Sequence, residues 1–293
     1  MLWLVLATAV AAPDAAAGVP LTRSVALHVY TKKLAPVEDL KVEELMLTED
    51  GKPRKVLSVE PDRRPLELAL VVDSSASVTA YYRSDLVPAV VDFIKALPAG
   101  SKAAVWSSAP AKVGDFGAEL PALTDKLKMI AAAGGNYAFD SMTDACKELG
   151  QRGAPRRAVV YVGANGLHST ASSTSALMQA VGQNRVVPMV VMVLASARGA
   201  LGSGPSGDSI GSWDVQGYFT QMTKAYHGTY VEALTTLAVA QWLKQAAADL
   251  NSQYRVRFES VAGPGGVVKV DVKRKDTRFR VGRSAVEEQL TAN

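Results

Sequence analysis

One cysteine, Cys146, stands among 293 residues, so no disulfide can form within the chain whatever compartment it occupies. It lies with Met142, Ala145 and Leu149 at helical spacing, which reads as a buried, inert thiol. Histidine is nearly as scarce. His28, His168 and His227 are scattered and form neither a metal-ligand spacing nor a triad spacing, and His168 reads as a solvent-exposed loop residue. Basic runs are also missing. The 32 basic and 28 acidic residues leave a net charge of +4, and the one basic stretch, Lys269 to Arg283, alternates as the solvated face of strands does. A nucleic-acid partner is therefore not expected. A disordered chain is excluded as well, because 48 % of the residues are apolar and 20 % charged.

The N-terminal apolar run, Leu2 to Ala12, is too short to span a bilayer. Small residues follow it and end in Ala15-Ala16-Ala17, which suits a secretory signal over residues 1–17, although no Lys or Arg precedes the run. The mature protein is expected to be secreted, periplasmic or at the cell surface, with no membrane span once the signal is removed.

Three patterns follow one another along the mature chain. Alternation from Ser24 to Tyr30 reads as a strand, and Glu44 to Thr48 with Lys55 to Val59 read as a hairpin around Asp50-Gly51. From Leu66 the pattern changes to continuous apolar runs: Leu66 to Val72, Ala103 to Ser107, Arg157 to Val162 and Val186 to Leu194. Such runs mark parallel strands buried on both faces. Amphipathic helices lie between them. One carries Val87, Val90, Val91, Ile94 and Leu97, with Ser84 placed to cap it, and a later one carries Val239, Leu243, Ala246 and Leu250. After Gln253 the period returns to two, with Gly263-Pro264-Gly265-Gly266 as the first turn. The expected fold class is α/β, a doubly wound, mostly parallel sheet with a small antiparallel β domain formed from both chain ends. The boundaries are 18–64 and 253–293 for the β domain and 65–252 for the α/β domain.

The stretch LALVVDSSAS, Leu68 to Ser77, is the most informative. An apolar strand delivers Asp73, Ser75 and Ser77 at its carboxyl end, where open α/β sheets place their ligand crevice. Hard oxygen ligands of low total charge suit Mg²⁺. In the alternative reading the same short polar side chains cap local backbone amides.

Asp73-x-Ser75-x-Ser77 after a buried strand resembles the metal-ion-dependent adhesion site of von Willebrand factor A domains. The hairpin TEDGKPRKV, GGNYAFDSM from Gly134 to Met142 and LNSQYRVRF from Leu250 to Phe258 extend the likeness to bacterial von Willebrand factor A-related proteins over nearly the whole mature chain. The resemblance implies a Rossmann-like domain that binds a protein ligand, with a metal ion completed by an acidic residue of that ligand. It also implies a Thr ligand where this chain has Asn136, and an Asp where it has Ala164 or Asn165. Asn136 keeps a carbonyl oxygen, so Asp73, Ser75, Ser77 and Asn136 form the candidate metal set, and the missing second acid lowers the charge of the site.

Catalytic readings fare worse. Haloacid dehalogenase-type phosphatases resemble this strand end but carry Asp-x-Asp, and Ser75 stands where the second acid would work. A serine hydrolase needs Gly-x-Ser-x-Gly and an oriented base, and Gly202-Ser203-Gly204 matches only half of that turn. Gly202, Gly204 and Gly207 spell a dinucleotide pattern, but they do not follow directly on a strand and Pro205 interrupts them. No catalytic residue is therefore assigned, and the chain reads as a binding module rather than an enzyme. The alternatives are a metal-independent interaction or scaffold domain and, further off, a hydrolase using the same crevice. The mature chain is predicted to start near Gly18. N-terminal sequencing of the protein from cell fractions checks this, and an intact Met1 in the cytosol would refute it.

Overall fold

The computed structural model describes residues 21–33, 35–166, 168–170, 173–194, 209–210, 212–261 and 266–289. The signal segment, the Gly202–Gly207 stretch and the turn residues Gly263, Pro264 and Gly265 lie outside them.

The N-terminal part contributes β1 (Leu21–Thr31), β2 (Leu45–Glu49), β3 (Lys52–Arg54) and β4 (Val56–Pro61). The chain then enters the α/β part through β5 (Leu66–Val72), α1 (Val87–Lys95), β6 (Lys102–Ser107) and β7 (Ala111–Gly114). Next come α2 (Leu120–Met129), α3 (Ala138–Arg152), β8 (Arg156–Ala164), β9 (His168–Ser169) and α4 (Thr174–Gln183). This part ends with β10 (Val187–Val193), β11 (Ser209–Ile210), α5 (Ser212–Ala225), β12 (Thr229–Ala233) and α6 (Thr236–Asn251). Three strands close the chain: β13 (Tyr254–Ser260), β14 (Val268–Val272) and β15 (Thr277–Gln289).

The large sheet has the order β12-β10-β8-β5-β6-β7, parallel except for the edge strand β7. Every residue of β5 is buried, because helices cover both faces, and this is why the strand reads as an unbroken apolar run. Leu68, Leu70 and Val72 face the side of α1 and α6, while Ala69 and Val71 face the side of α3, α4 and α5. Connections run outward from β5 to β6 in one direction and from β8 to β10 and β12 in the other. The strand order therefore reverses between β5 and β8, which makes their carboxyl ends the natural crevice of the sheet.

The two chain ends meet in a β unit. β1 lies between β13 and β15, β4 lies beyond β13, and a second sheet of order β14-β2-β3 packs on the same core around Leu27, Leu47, Phe258 and Val270. Asp50 and Gly51 both have positive φ (50° and 77°), as a two-residue hairpin turn requires. The hairpin partner differs from expectation. β2 pairs with the short β3, and at Lys55 the chain leaves that sheet so that β4 joins β13 instead. One continuous run thus forms a corner between the two sheets. Ser84 also differs, since it sits exposed in a wide turn over Tyr82–Leu86, and α1 begins at Val87 without a side-chain cap. Pro88 in the first turn has no N–H to satisfy and a φ already set for a helix.

Arg156, buried at the start of β8, ties the two units together. It donates to Asp62 O (2.9 Å), Leu250 O (2.5 Å) and Gln253 Oε1 (3.2 Å), and so holds the chain both where it enters and where it leaves the α/β part. Asp62 supplies the compensating carboxylate, 3.8 Å away, and pairs with Arg64 as well. Arg156→Met is expected to cost about 3 kcal/mol or more, because buried carbonyls and the Asp62 charge lose their partner. Arg157→Met, next along the strand and without those bonds, is expected to cost less than about 1 kcal/mol. Urea unfolding compares the two, and equal losses would show that Arg156 is no anchor.

Candidate functional site

β5, β6 and β8 end side by side, and each contributes to a single buried carboxylate. Asp73 follows β5 directly, and its own N–H donates to Val162 O of β8 (2.9 Å). Its Oδ1 accepts from Ser75 N (2.8 Å) and Ser108 Oγ (3.2 Å), and its Oδ2 accepts from Ala164 N (2.9 Å). Ser108, one residue beyond β6, also accepts from Ser74 N (2.9 Å). Ser75 Oγ accepts from Ser77 N (3.3 Å), which forms the one-turn helix that follows. Asp73 and Ser75 are buried, whereas Ser77 is exposed and stands over Gly166, where an added Cβ would lie 2.9 Å from the Ser77 hydroxyl oxygen. Asp73 and Ser75 therefore cap local backbone amides here, while the Ser77 hydroxyl caps none among the described residues.

Asn136 belongs to the same cluster but is turned to other work. Its Oδ1 accepts from Ala138 N at the start of α3 (3.0 Å), and its amide donates to the Tyr161 hydroxyl (2.8 Å). Tyr161 points inward from β8 and is fully buried. Gly163 beside it has no room for a side chain, because a Cβ there would strike the Tyr161 hydroxyl and lie 2.5 Å from Asp73 Cβ. Of the two positions where the resemblance implies an acid, Ala164 is buried and apolar, and Asn165 has a buried side-chain oxygen with no hydrogen-bond partner among the described residues.

Two of the four candidate metal donors, Asp73 and Asn136, are already engaged by backbone amides. The one carboxylate already accepts three hydrogen bonds, the Asn136 carbonyl caps a helix, and no second acid is present. Among the described residues, no three His, Cys, Asp or Glu side chains stand close enough to share a metal.

Sequence reading missed three members of the cluster. Ser108 hid in the polar turn after an expected strand, and Tyr161 read as one more apolar core position. His168 was expected in solvent but is fully buried, edge-on to Phe139, Tyr161 and Phe219. Ser169 N donates to Asn136 O (2.7 Å), which draws the loop after β8 inward and carries His168 with it. Burial pushes its imidazole down to about 4, so the ring is neutral at physiological pH. Cys146 is buried, as its spacing implied, and burial raises its thiol.

Burial also raises the Asp73 carboxyl above its ordinary value of 3.8, by more than the bonds from Ser75, Ala164 and Ser108 lower it. A raised acid binds more protons folded than unfolded, so stability is lost as pH rises from 3.8 through the folded value. Asp73→Asn removes that proton. The stability of wild type minus that of Asp73→Asn, measured by urea unfolding from pH 4 to pH 8, is expected to fall as pH rises. A flat or rising difference would contradict a raised carboxyl.

No family model and no curated protein matches the sequence. Solved structures do resemble it. The chain is similar to a von Willebrand factor type A protein from Catenulispora acidiphila, at 11 % identity and a TM-score of 0.48, over 93 % of this chain and 74 % of that one. It is similar to BatB from Bacteroides thetaiotaomicron, a conserved hypothetical protein, at 14 % identity and a TM-score of 0.45, over 63 % of this chain and 98 % of that one. It is also similar to the manganese-loaded TRAP protein of Plasmodium vivax, at 14 % identity and a TM-score of 0.42, over 73 % of this chain and 80 % of that one. These likenesses concern fold alone; the three chains it is similar to here share 11 to 14 % identity with it.

Proposed function

We propose that the chain is an exported, non-enzymatic module that binds a protein partner through the loops at the carboxyl rim of its large sheet, without a bound metal. The observation that carries this reading is the contrast between the closed crevice and its surroundings. Asp73 has its partners inside the protein, whereas Leu234 and Leu237 are 77 % and 81 % exposed and Tyr137 is 37 % exposed. Large apolar side chains left in solvent, at Leu234 in the β12–α6 connection and at Leu237 in the first turn of α6, support a docking role. The export signal in the sequence supports work outside the cytoplasm, and among the described residues no helix is long and apolar enough to cross a membrane.

A second reading keeps the metal. Ser75 and Ser77 follow Asp73 in the spacing of the adhesion site, and in that reading Mg²⁺ joins them to an acidic residue of the partner. Melting with Mg²⁺ or Mn²⁺ separates the two, since a ligand at about 100 times its Kd stabilises by roughly 2.7 kcal/mol.

On the first reading the melting temperature does not move. Immobilised protein in EDTA captures a partner from an extract of the source cells, and Leu234→Glu with Leu237→Glu abolishes capture while leaving the melting temperature unchanged. A metal-induced rise that disappears in Asp73→Ala would replace this reading with the second. Capture untouched by the two glutamates would remove the rim from the interface.

A further inference from the structure

At the opposite end of the same strands, where the base of the large sheet meets the β unit, lies a cavity of about 150 Å³. Its wall carries the guanidinium groups of Arg64, Arg156, Arg157 and Arg185 and only one carboxylate, Asp62, which leaves three positive charges. Asp62 is already taken by Arg64 (2.7 Å) and neutralises the base of Arg156, whose donors point into the protein. Glu67, across the strand from Arg157, is held by Arg152 at 2.6 and 2.8 Å. Arg157 and Arg185 have no ion pair among the described residues. They nevertheless stand close enough that burial and then the Arg185 charge hold the Arg157 guanidinium below its ordinary value. Two uncompensated cations facing one cavity repel unless an anion lies between them.

Two further features point into the same space. His28, 6 % exposed, lines the cavity, its Nδ1 has no hydrogen-bond partner, and burial with the nearby Arg280 and Arg156 charges holds its imidazole well below the ordinary value. A neutral imidazole carries one acceptor nitrogen and one donor, and buried polar atoms are seldom left unpaired. Arg185 and His227, both on the wall, are two of the four non-glycine residues with positive φ among the described residues (52° and 58°). Such backbone is disfavoured and gathers at ligand clamps.

We propose that this cavity binds a phosphate group, free or as a small monoester. A phosphate brings more negative charge and more acceptor oxygens than a carboxylate does, so it offsets more of the three positive charges and matches the guanidinium forks. As a monoanion it retains one O–H, which the acceptor nitrogen of His28 receives. A cavity of about 150 Å³ admits a group of roughly benzene size, so the phosphate and little more is enclosed. The site is independent of the rim proposed above to bind a protein.

Titration calorimetry of the mature chain with inorganic phosphate and phenyl phosphate, at fixed ionic strength in chloride with acetate as control, tests the proposal. One saturable site is expected, and Arg157→Gln or Arg185→Gln weakens it about ten-fold or more, the loss expected for a charge-assisted bond. Asp73→Asn leaves it unchanged. Each variant's melting temperature in chloride reports whether it folds, and Arg185 is exposed enough that its replacement does not threaten the fold. Binding of phenyl phosphate as tight as that of phosphate assigns the site to esters, and binding of phosphate alone assigns it to the free ion. No saturable binding at millimolar phosphate, acetate binding equally well, or binding indifferent to both arginine substitutions would overturn the proposal.

Discussion

A carboxylate removed from water must find its partners inside the protein, and Asp73 finds them on three strands. Its oxygens accept from the loop after β5, from Ser108 beyond β6 and from Ala164 at the end of β8. Losing any one donor would leave a buried charge partly unsatisfied, so the three loops are fixed relative to one another by a single side chain. The geometry of the rim follows from this. Ala133 N and Ala76 N bond across the loops to Ser74 O and Gly134 O, and Asn136 and Tyr161 fill the space beside them. Because the strand order reverses here, the carboxylate also bridges a gap that every doubly wound sheet would otherwise leave open.

The base of the sheet meets a related constraint with the opposite charge. Inserting an α/β domain between two halves of a β unit obliges the chain to cross twice in the same place, and Asp62 and Gln253 mark those crossings. Arg156 binds backbone or side chain at both and at the end of α6. Its charge is spent inside the protein, so it stabilises rather than recruits. Arg157 and Arg185, one residue away along β8 and at the turn before β10, have no such obligation. This difference between neighbouring cations separates a structural anchor from groups free to meet a ligand.

Much of the fold was legible because its signals are local. Continuous apolar runs gave the central strands, since helices on both faces leave no position to be polar. Period-two alternation gave the strands of the β unit, and Asp50-Gly51 gave its hairpin turn. What escaped depended on tertiary partners. Nothing local shows that the strand beyond Pro53 changes sheets at Lys55, or that a wide turn and Pro88 start α1 in place of a serine cap. The candidate site divided along the same line. Asp73 and its serines announce themselves at a strand end, but Ser108 is one polar residue among several in a turn, and Tyr161 reads as apolar because its hydroxyl partner, Asn136, lies far off in sequence. His168 was misplaced because its burial depends on partners far off in sequence: the bond from Ser169 to Asn136, the pairing of β9 with β11, and the rings of Phe139, Tyr161 and Phe219.

The departures from the adhesion-site pattern are coupled rather than independent. An aspartate at 164 would set a second carboxylate beside Asp73 in a buried position, with Gly163 packed too tightly against Tyr161 and Asp73 Cβ to give way. A threonine at 136 would remove both the bond to the Tyr161 hydroxyl and the carbonyl that caps α3. Asn136 thus serves both the Tyr161 hydroxyl and the start of α3, while the bond from Ala164 to the carboxylate is a backbone one that the side chain at that position does not supply. The crevice is thus held by hydrogen bonds from three strands, with Asn136 and Tyr161 packed beside the carboxylate.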